Sequence, residues 1–152
     1  MGVNEKPRIL PVVWLFLAVV AMAALHGLGS EKHYLPSPWN WLGLAPAILG
    51  TWMAAISARA FTKAETGLLP FDDATALVTG GFYRFTRNPM YLGMVLALAG
   101  LAIVLACLPV WLPVIGFALV IHHVFILREE RFMEQVFGEA YVSYTQRVRR
   151  WL

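Results

Sequence analysis

Four apolar runs, each close to the roughly 20 residues that a bilayer span takes, constrain this chain more than any other feature. They cover Ile9 to Leu28, Trp41 to Phe61, Tyr91 to Leu108 and Pro109 to Leu127. A soluble domain is roughly 45–50% apolar, whereas 59% of these residues are hydrophobic, 14% are charged and the mean hydropathy is +0.65. Within a bilayer no water satisfies backbone amides, so runs of this kind fold as helices. The expected fold is an all-α integral membrane domain over residues 1–152. It has four transmembrane helices, a tight antiparallel hairpin of the third and fourth, and a helical C-terminal tail. Ala21-Met22-Ala23 in the first run could pass for a signal-peptide cleavage site, but the run is read as the first transmembrane helix. Before the second, "YLPSPWNW" places Tyr34, Trp39 and Trp41 as an interfacial aromatic belt.

Charge orients the helices. With four crossings, Lys6, Arg8, Arg59, Lys63, Arg84, Arg87, Arg128, Arg131, Arg147, Arg149 and Arg150 share one side, leaving Lys32 on the other. The positive-inside rule makes that side cytoplasmic, together with both termini, the connection Thr62 to Asn88 and the tail Arg128 to Leu152. A bacterial or archaeal cytoplasmic membrane is the expected host. The pI near 9.3 also suits a nucleic-acid binder, but cations flanking apolar spans are explained by orientation. The one cysteine, Cys107, lies in an apolar run and cannot form an internal disulfide. In the tail, Phe132, Val136 and Phe137 recur at helical spacing and Gly138 offers a break. A short helix with Tyr141, Tyr144 and Val148 then carries Arg147, Arg149 and Arg150 against anionic headgroups.

The polar residues concentrate at one mouth of the expected hairpin. There "RFTRNPMY" opens the third helix and "REER" closes the fourth, so Arg87 and Tyr91 should lie near Glu129 and Glu130. His122 and Glu129 are seven residues apart, as are His123 and Glu130, which returns nearly to one helix face. The histidines read equally as functional groups in a span and as neutral packing residues. Gly93 and Gly100, also seven apart, read as contacts between helices. The loop Lys63 to Ala76, with Asp72-Asp73 and "GLLPF", either covers this mouth or is a plain surface loop. No metal-ligating set is assigned.

The order of "LVTGGFYRFTRNPMYLG", an apolar hairpin and "REERFMEQVFGEAYVSYTQRV" resembles the membrane methyltransferase superfamily typified by isoprenylcysteine carboxyl methyltransferases and phospholipid N-methyltransferases. The resemblance covers Leu77 to Leu152, a methyltransferase-like core preceded by two N-terminal helices over residues 1–61. Its pattern, G-x-Y-x-x-x-R-[HN]-P-x-Y-x-G, then Glu-Glu, then F-G-x-x-Y-x-x-Y, falls here on Tyr83, Arg87, Asn88, Pro89, Tyr91 and Gly93, then Glu129 and Glu130, then Phe137, Gly138, Tyr141 and Tyr144.

The resemblance implies S-adenosylmethionine as cofactor and methyl transfer to a lipid or other hydrophobic acceptor that enters from the membrane. Arg87 and Glu130 are the implied catalytic pair. Glu130 orients the cofactor amine or accepts a proton from an amine acceptor; Arg87 orients the cofactor or an anionic part of the acceptor. Tyr83, Asn88, Pro89, Tyr91, Gly93, Glu129, Glu130 and Tyr141 are the implied cofactor-binding residues. Many members have His where this chain has Asn88, which cannot titrate near neutral pH, so general-base chemistry is not assigned there. Physical chemistry agrees: a sulfonium, an ammonium and a carboxylate call for acidic groups, aromatic faces and a cationic donor. Two other readings compete. One is an NADPH-dependent membrane reductase with a similar core, which would need more basic groups for its phosphates. The other is a non-catalytic membrane scaffold.

Overall fold

The computed structural model describes residues 10–28, 34–63 and 75–152. The loop segment with Asp72-Asp73, and Lys6, Arg8 and Lys32, lie outside the described residues. The described residues are all-α, in the order α1 (Pro11–Gly27), α2 (Leu44–Lys63), α3 (Pro89–Leu105), α4 (Trp111–Val120), α5 (Leu127–Phe137) and α6 (Glu139–Arg147). A 3-10 turn, Trp39–Gly43, leads into α2, and another, Leu108–Val110, into α4. Proline stands at the start of α1 and α3, where a missing amide proton costs least.

Helix α4 does not stop at Leu127. It passes through a π-helical stretch, Ile121–Ile126, into α5, giving one helix of 30 residues from Leu108 to Phe137. That helix and Trp39–Lys63 are long and apolar enough to cross a membrane, while Pro11–Gly27 and Pro89–Leu105 are shorter apolar helices. Much of the outer surface is apolar: Phe16, Ile48, Trp52, Leu112, Ile115 and Leu119 are all exposed. Exposed apolar side chains in this number suit association with a membrane.

Helix α3 is the centre of the bundle, with α2 on one side and α1 and α4 on the other. Small residues set the α2–α3 contact. A Cβ placed on Gly50 would lie 2.5 Å from the Gly93 carbonyl oxygen, and one on Gly93 would lie 2.5 Å from that of Gly50. Gly100 meets the backbone of Ala47 and Gly43 in the same way. On the opposite side, Met22, Leu98, Ala102, Phe117, Ile121 and Phe125 form the core between α1, α3 and α4. Helix ends leave carbonyls without partners. At the end of α3, the Tyr34 amide donates to the Ala106 carbonyl (2.9 Å) and Asn40 Nδ2 to that of Val104 (2.9 Å).

A smaller core builds the other end. Gly138 takes φ +52°, a left-handed value that suits a residue without Cβ, and it turns the chain from α5 into α6. Tyr141, Tyr144 and Val148 then pack against Leu77, Met133 and Phe137. After α6 the chain runs extended beside the segment before α3: Thr86 pairs with Arg149 as a parallel bridge, and the Arg87 amide donates to the Arg149 carbonyl (2.9 Å).

Candidate functional site

Neighbouring glutamates on α5 point to different partners, because successive helix residues are about 100° apart. Glu129 faces α3 and accepts a hydrogen bond from the Tyr91 hydroxyl at 2.7 Å. Glu130 faces the tail. Arg87 approaches its Oε1 at 3.2 Å, and Arg150 grips it in a fork, with Nε 3.0 Å from Oε1 and Nη2 2.7 Å from Oε2. Beside this cluster lies a pocket of about 280 Å³, lined by Arg87, Glu130, Arg131, Glu134, Tyr141 and Arg150 among others. Three lining arginines against two glutamates leave the pocket net cationic.

Arg87 is poised by the backbone on both sides of it. The segment Thr86 to Asn88 is latched to the extended C-terminal segment: Thr86 Oγ1 donates to the Arg150 carbonyl at 3.1 Å and Asn88 Nδ2 to the same oxygen at 3.0 Å. The side chain of Arg87 is mostly buried, with 13% exposure, as is that of Glu130, with 14%. Arg87 Nε is buried with no partner among the described residues.

Tyrosines frame the cluster. Tyr83 is buried, stacks edge-on against Phe61 of α2 at 5.5 Å and accepts, at its carbonyl, the Tyr144 hydroxyl at 2.7 Å. Burial, and then the charge of Glu129, push the Tyr83 phenol well above its ordinary range. Burial pushes Tyr144 up to about 12. Tyr141 is raised by burial first and then by Glu130. All three are therefore neutral hydrogen-bonding groups at physiological pH, not bases.

The residues singled out in the sequence thus divide. Arg87, Glu130 and Tyr141 line the pocket. Tyr91 and Glu129 form a pair behind it, Asn88 holds the tail, and Pro89 starts α3. Tyr83 props α6 through its carbonyl. Gly93 is packed against Gly50 and Ala54 of α2, in keeping with its spacing from Gly100, rather than on the pocket. Two expectations are corrected. Arg150 turns inward onto Glu130 instead of outward to headgroups. The histidine-to-glutamate spacing assumed regular α-turns, but the π stretch has i→i+5 geometry and changes the phase. His122 stacks on Trp151 and accepts its indole N–H at Nδ1 (3.3 Å), and His123 is exposed. Sequence reasoning also missed Thr86 and Trp151; the signal available was a tryptophan after three arginines at the end of the tail.

Comparison with known proteins bears on the same segment. The phospholipid methyltransferase family model matches residues 39–140, a stretch that includes α2, α3, the Arg87–Glu130 pair and the start of α6. A probable protein-S-isoprenylcysteine O-methyltransferase of Oryza sativa subsp. indica is 34% identical over 116 residues, covering 72% of this chain and 58% of that protein. Protein-S-isoprenylcysteine O-methyltransferase B of Arabidopsis thaliana is 33% identical over 125 residues, covering 79% and 60%. An uncharacterized protein of Haemophilus influenzae is 46% identical over 63 residues, its whole length and 41% of this chain. The chain thus spans about three fifths of the plant relatives' length. With the motif order, the all-α bundle and a family match running through the pocket, the chain belongs to the phospholipid methyltransferase family.

Proposed function

We propose that this chain transfers a methyl group from S-adenosylmethionine to a lipid or other membrane-partitioned acceptor at the cytoplasmic face of a membrane. The observation that carries the reading is Glu130, a largely buried carboxylate between Arg87 and Arg150 at the edge of a polar pocket. Amino-acid head groups present an ammonium and a carboxylate on one carbon, and this cluster offers both complements. Tyr141 supplies an aromatic wall. Tyr83, Asn88, Pro89, Tyr91 and Glu129 hold Arg87 and Glu130 in register from behind.

When bound, the cofactor supplies a methyl on a sulfonium, which leaves as a neutral thioether. The protein's task is to align acceptor and methyl in a dry site. Glu130 serves that task by orientation, since a carboxylate occupied by two guanidiniums has few lone pairs left to take a proton. Arg87 orients the cofactor, through Glu130, or an anionic group of the acceptor. The plant relatives' name, isoprenylcysteine O-methyltransferase, supports an acceptor carried on a lipid.

The membrane arrangement we infer is a single domain with four crossings and both termini cytoplasmic, the first two helices within 1–61 and the core within 77–152. Exposed apolar side chains on α1, α2 and α4 and the one-sided distribution of arginines support it. A cysteine introduced as Trp39→Cys, in a Cys107→Ala background, should be labelled by an impermeant maleimide from the non-cytoplasmic side of sealed vesicles and not from the other. Labelling from the cytoplasmic side overturns the topology.

Calorimetric titration of the detergent-purified protein tests the cofactor. S-adenosylhomocysteine should bind and NADPH should not. NADPH binding alone points to a membrane reductase, and silence with both in folded protein to a scaffold.

A further inference from the structure

The family match ends at residue 140, yet the fold brings four later residues, Tyr141, Val142, Thr145 and Arg150, to the pocket. The Arg150 backbone is fixed: its carbonyl receives Thr86 Oγ1 at 3.1 Å and Asn88 Nδ2 at 3.0 Å, and the preceding carbonyl receives the Arg87 amide at 2.9 Å. Beyond it, Trp151 is anchored on His122. The Arg150 side chain is different. It is 37% exposed, against 13% for Arg87, although both contact Glu130. A guanidinium on a pinned backbone with a partly solvated end can pivot without unfolding its surroundings. The charges are unequal too, since Glu130 is one anion facing two cations. An incoming ammonium competes directly for Glu130, and the arginine it displaces needs an anion nearby. An α-amino carboxylate brings both groups on one carbon.

Resting on the methyltransferase reading, we propose that Arg150 is a ligand-binding residue of this pocket, which yields Glu130 to the ammonium of the cofactor's amino-acid end and takes its carboxylate. Arg87, more deeply buried and fixed by its neighbours, stays on Glu130 and keeps it charged. The proposal assigns recognition of the amino-acid end to the last residues of the chain, and makes the latch from Thr86 and Asn88 the device that holds Arg150 within reach. A bidentate fork suits a carboxylate, which a lysine cannot reproduce.

The test compares two ligands that differ by the amino-acid end, S-adenosylhomocysteine and 5′-methylthioadenosine, on the full-length protein in detergent. The variants are Arg150→Met and Arg150→Lys; both keep the backbone carbonyl that the latch uses. Losing a charged hydrogen-bond partner costs roughly tenfold to a hundredfold in binding. Arg150→Met should therefore weaken S-adenosylhomocysteine by that factor and leave 5′-methylthioadenosine unchanged, with Arg150→Lys between native and Met. A decarboxylated S-adenosylhomocysteine, retaining the amine, should bind native and Arg150→Met proteins alike. Equal losses for both ligands would reveal a structural role and overturn the assignment, as would unchanged or tighter S-adenosylhomocysteine binding in Arg150→Met. If the native protein binds neither adenosine ligand, the methyltransferase reading itself fails, an outcome separable from the others without any variant.

Discussion

Glu130→Gln should weaken S-adenosylhomocysteine binding about a hundredfold and depress methyl transfer at least as much, while the protein stays helical in detergent. The substitution keeps the shape and removes the charge. Arg87 and Arg150 then face each other without a common anion, and Arg87, at 13% exposure, has little water to turn to. Removing one partner of a buried ion pair costs about 3–5 kcal/mol. The outer partner is 37% exposed, so solvent recovers part of that cost and the lower end of the range applies. Some of the loss should appear as a lower midpoint of thermal unfolding, because the same ion pairs tie α5 to the segment before α3 and to the C-terminal segment. Binding equal to native would remove Glu130 from the site. The matching change at the adjacent position has a different expected signature: Glu129 meets Tyr91, behind the pocket, so its loss acts through the seating of α3 against α5.

The parts of this site that could be read from the sequence are those governed by local or one-dimensional rules. Apolar run length marked the helices, and the order of Arg87, Tyr91, Glu129 and Glu130 at two adjoining run ends was enough to bring them together on paper. The structure pairs them individually, Tyr91 with Glu129 and Arg87 with Glu130, a distinction set by helix phase. Phase is also where counting failed for His122 and His123. A π stretch is a small local departure that no apolar pattern announces, and it displaces everything counted across it.

Arg150 was misread for another reason. Three arginines near a chain end are the ordinary composition of a headgroup-binding tail, and what turns one of them inward is tertiary. The chain must reverse at Gly138, pack Tyr141, Tyr144 and Val148 on Leu77, and pair Thr86 with Arg149 before Arg150 comes within reach of Glu130. Asn88 carries the same lesson. Its place in a signature suggested a ligand contact; its side chain makes no helix cap and holds the Arg150 carbonyl. That role is invisible until the partner segment is located.

Gly100→Leu should be the most destructive single change in the bundle, leaving little folded protein after detergent extraction. At this position even a methyl group meets the backbone of Ala47 and Gly43, and backbone cannot move aside as a flexible side chain does. Overfilling a packed core costs roughly 1–3 kcal/mol when side chains can adjust. Here two helices would have to separate along a contact that runs through Gly43, Gly50, Gly93 and Gly100, so about 3 kcal/mol is a lower bound for leucine. Gly116→Leu is the control, because a Cβ at Gly116 in α4 meets nothing within 4 Å, and it should extract and unfold like the native chain. The comparison also bears on the site. Gly93 lies one turn into α3, close after Arg87 and Tyr91, so a milder Gly93→Ala should shift the start of that helix and reduce S-adenosylhomocysteine affinity more than Gly100→Ala does at equal loss of stability. If both alanine variants lose affinity only in proportion to the unfolded fraction, the α2–α3 contact supports the fold without setting the geometry of Arg87.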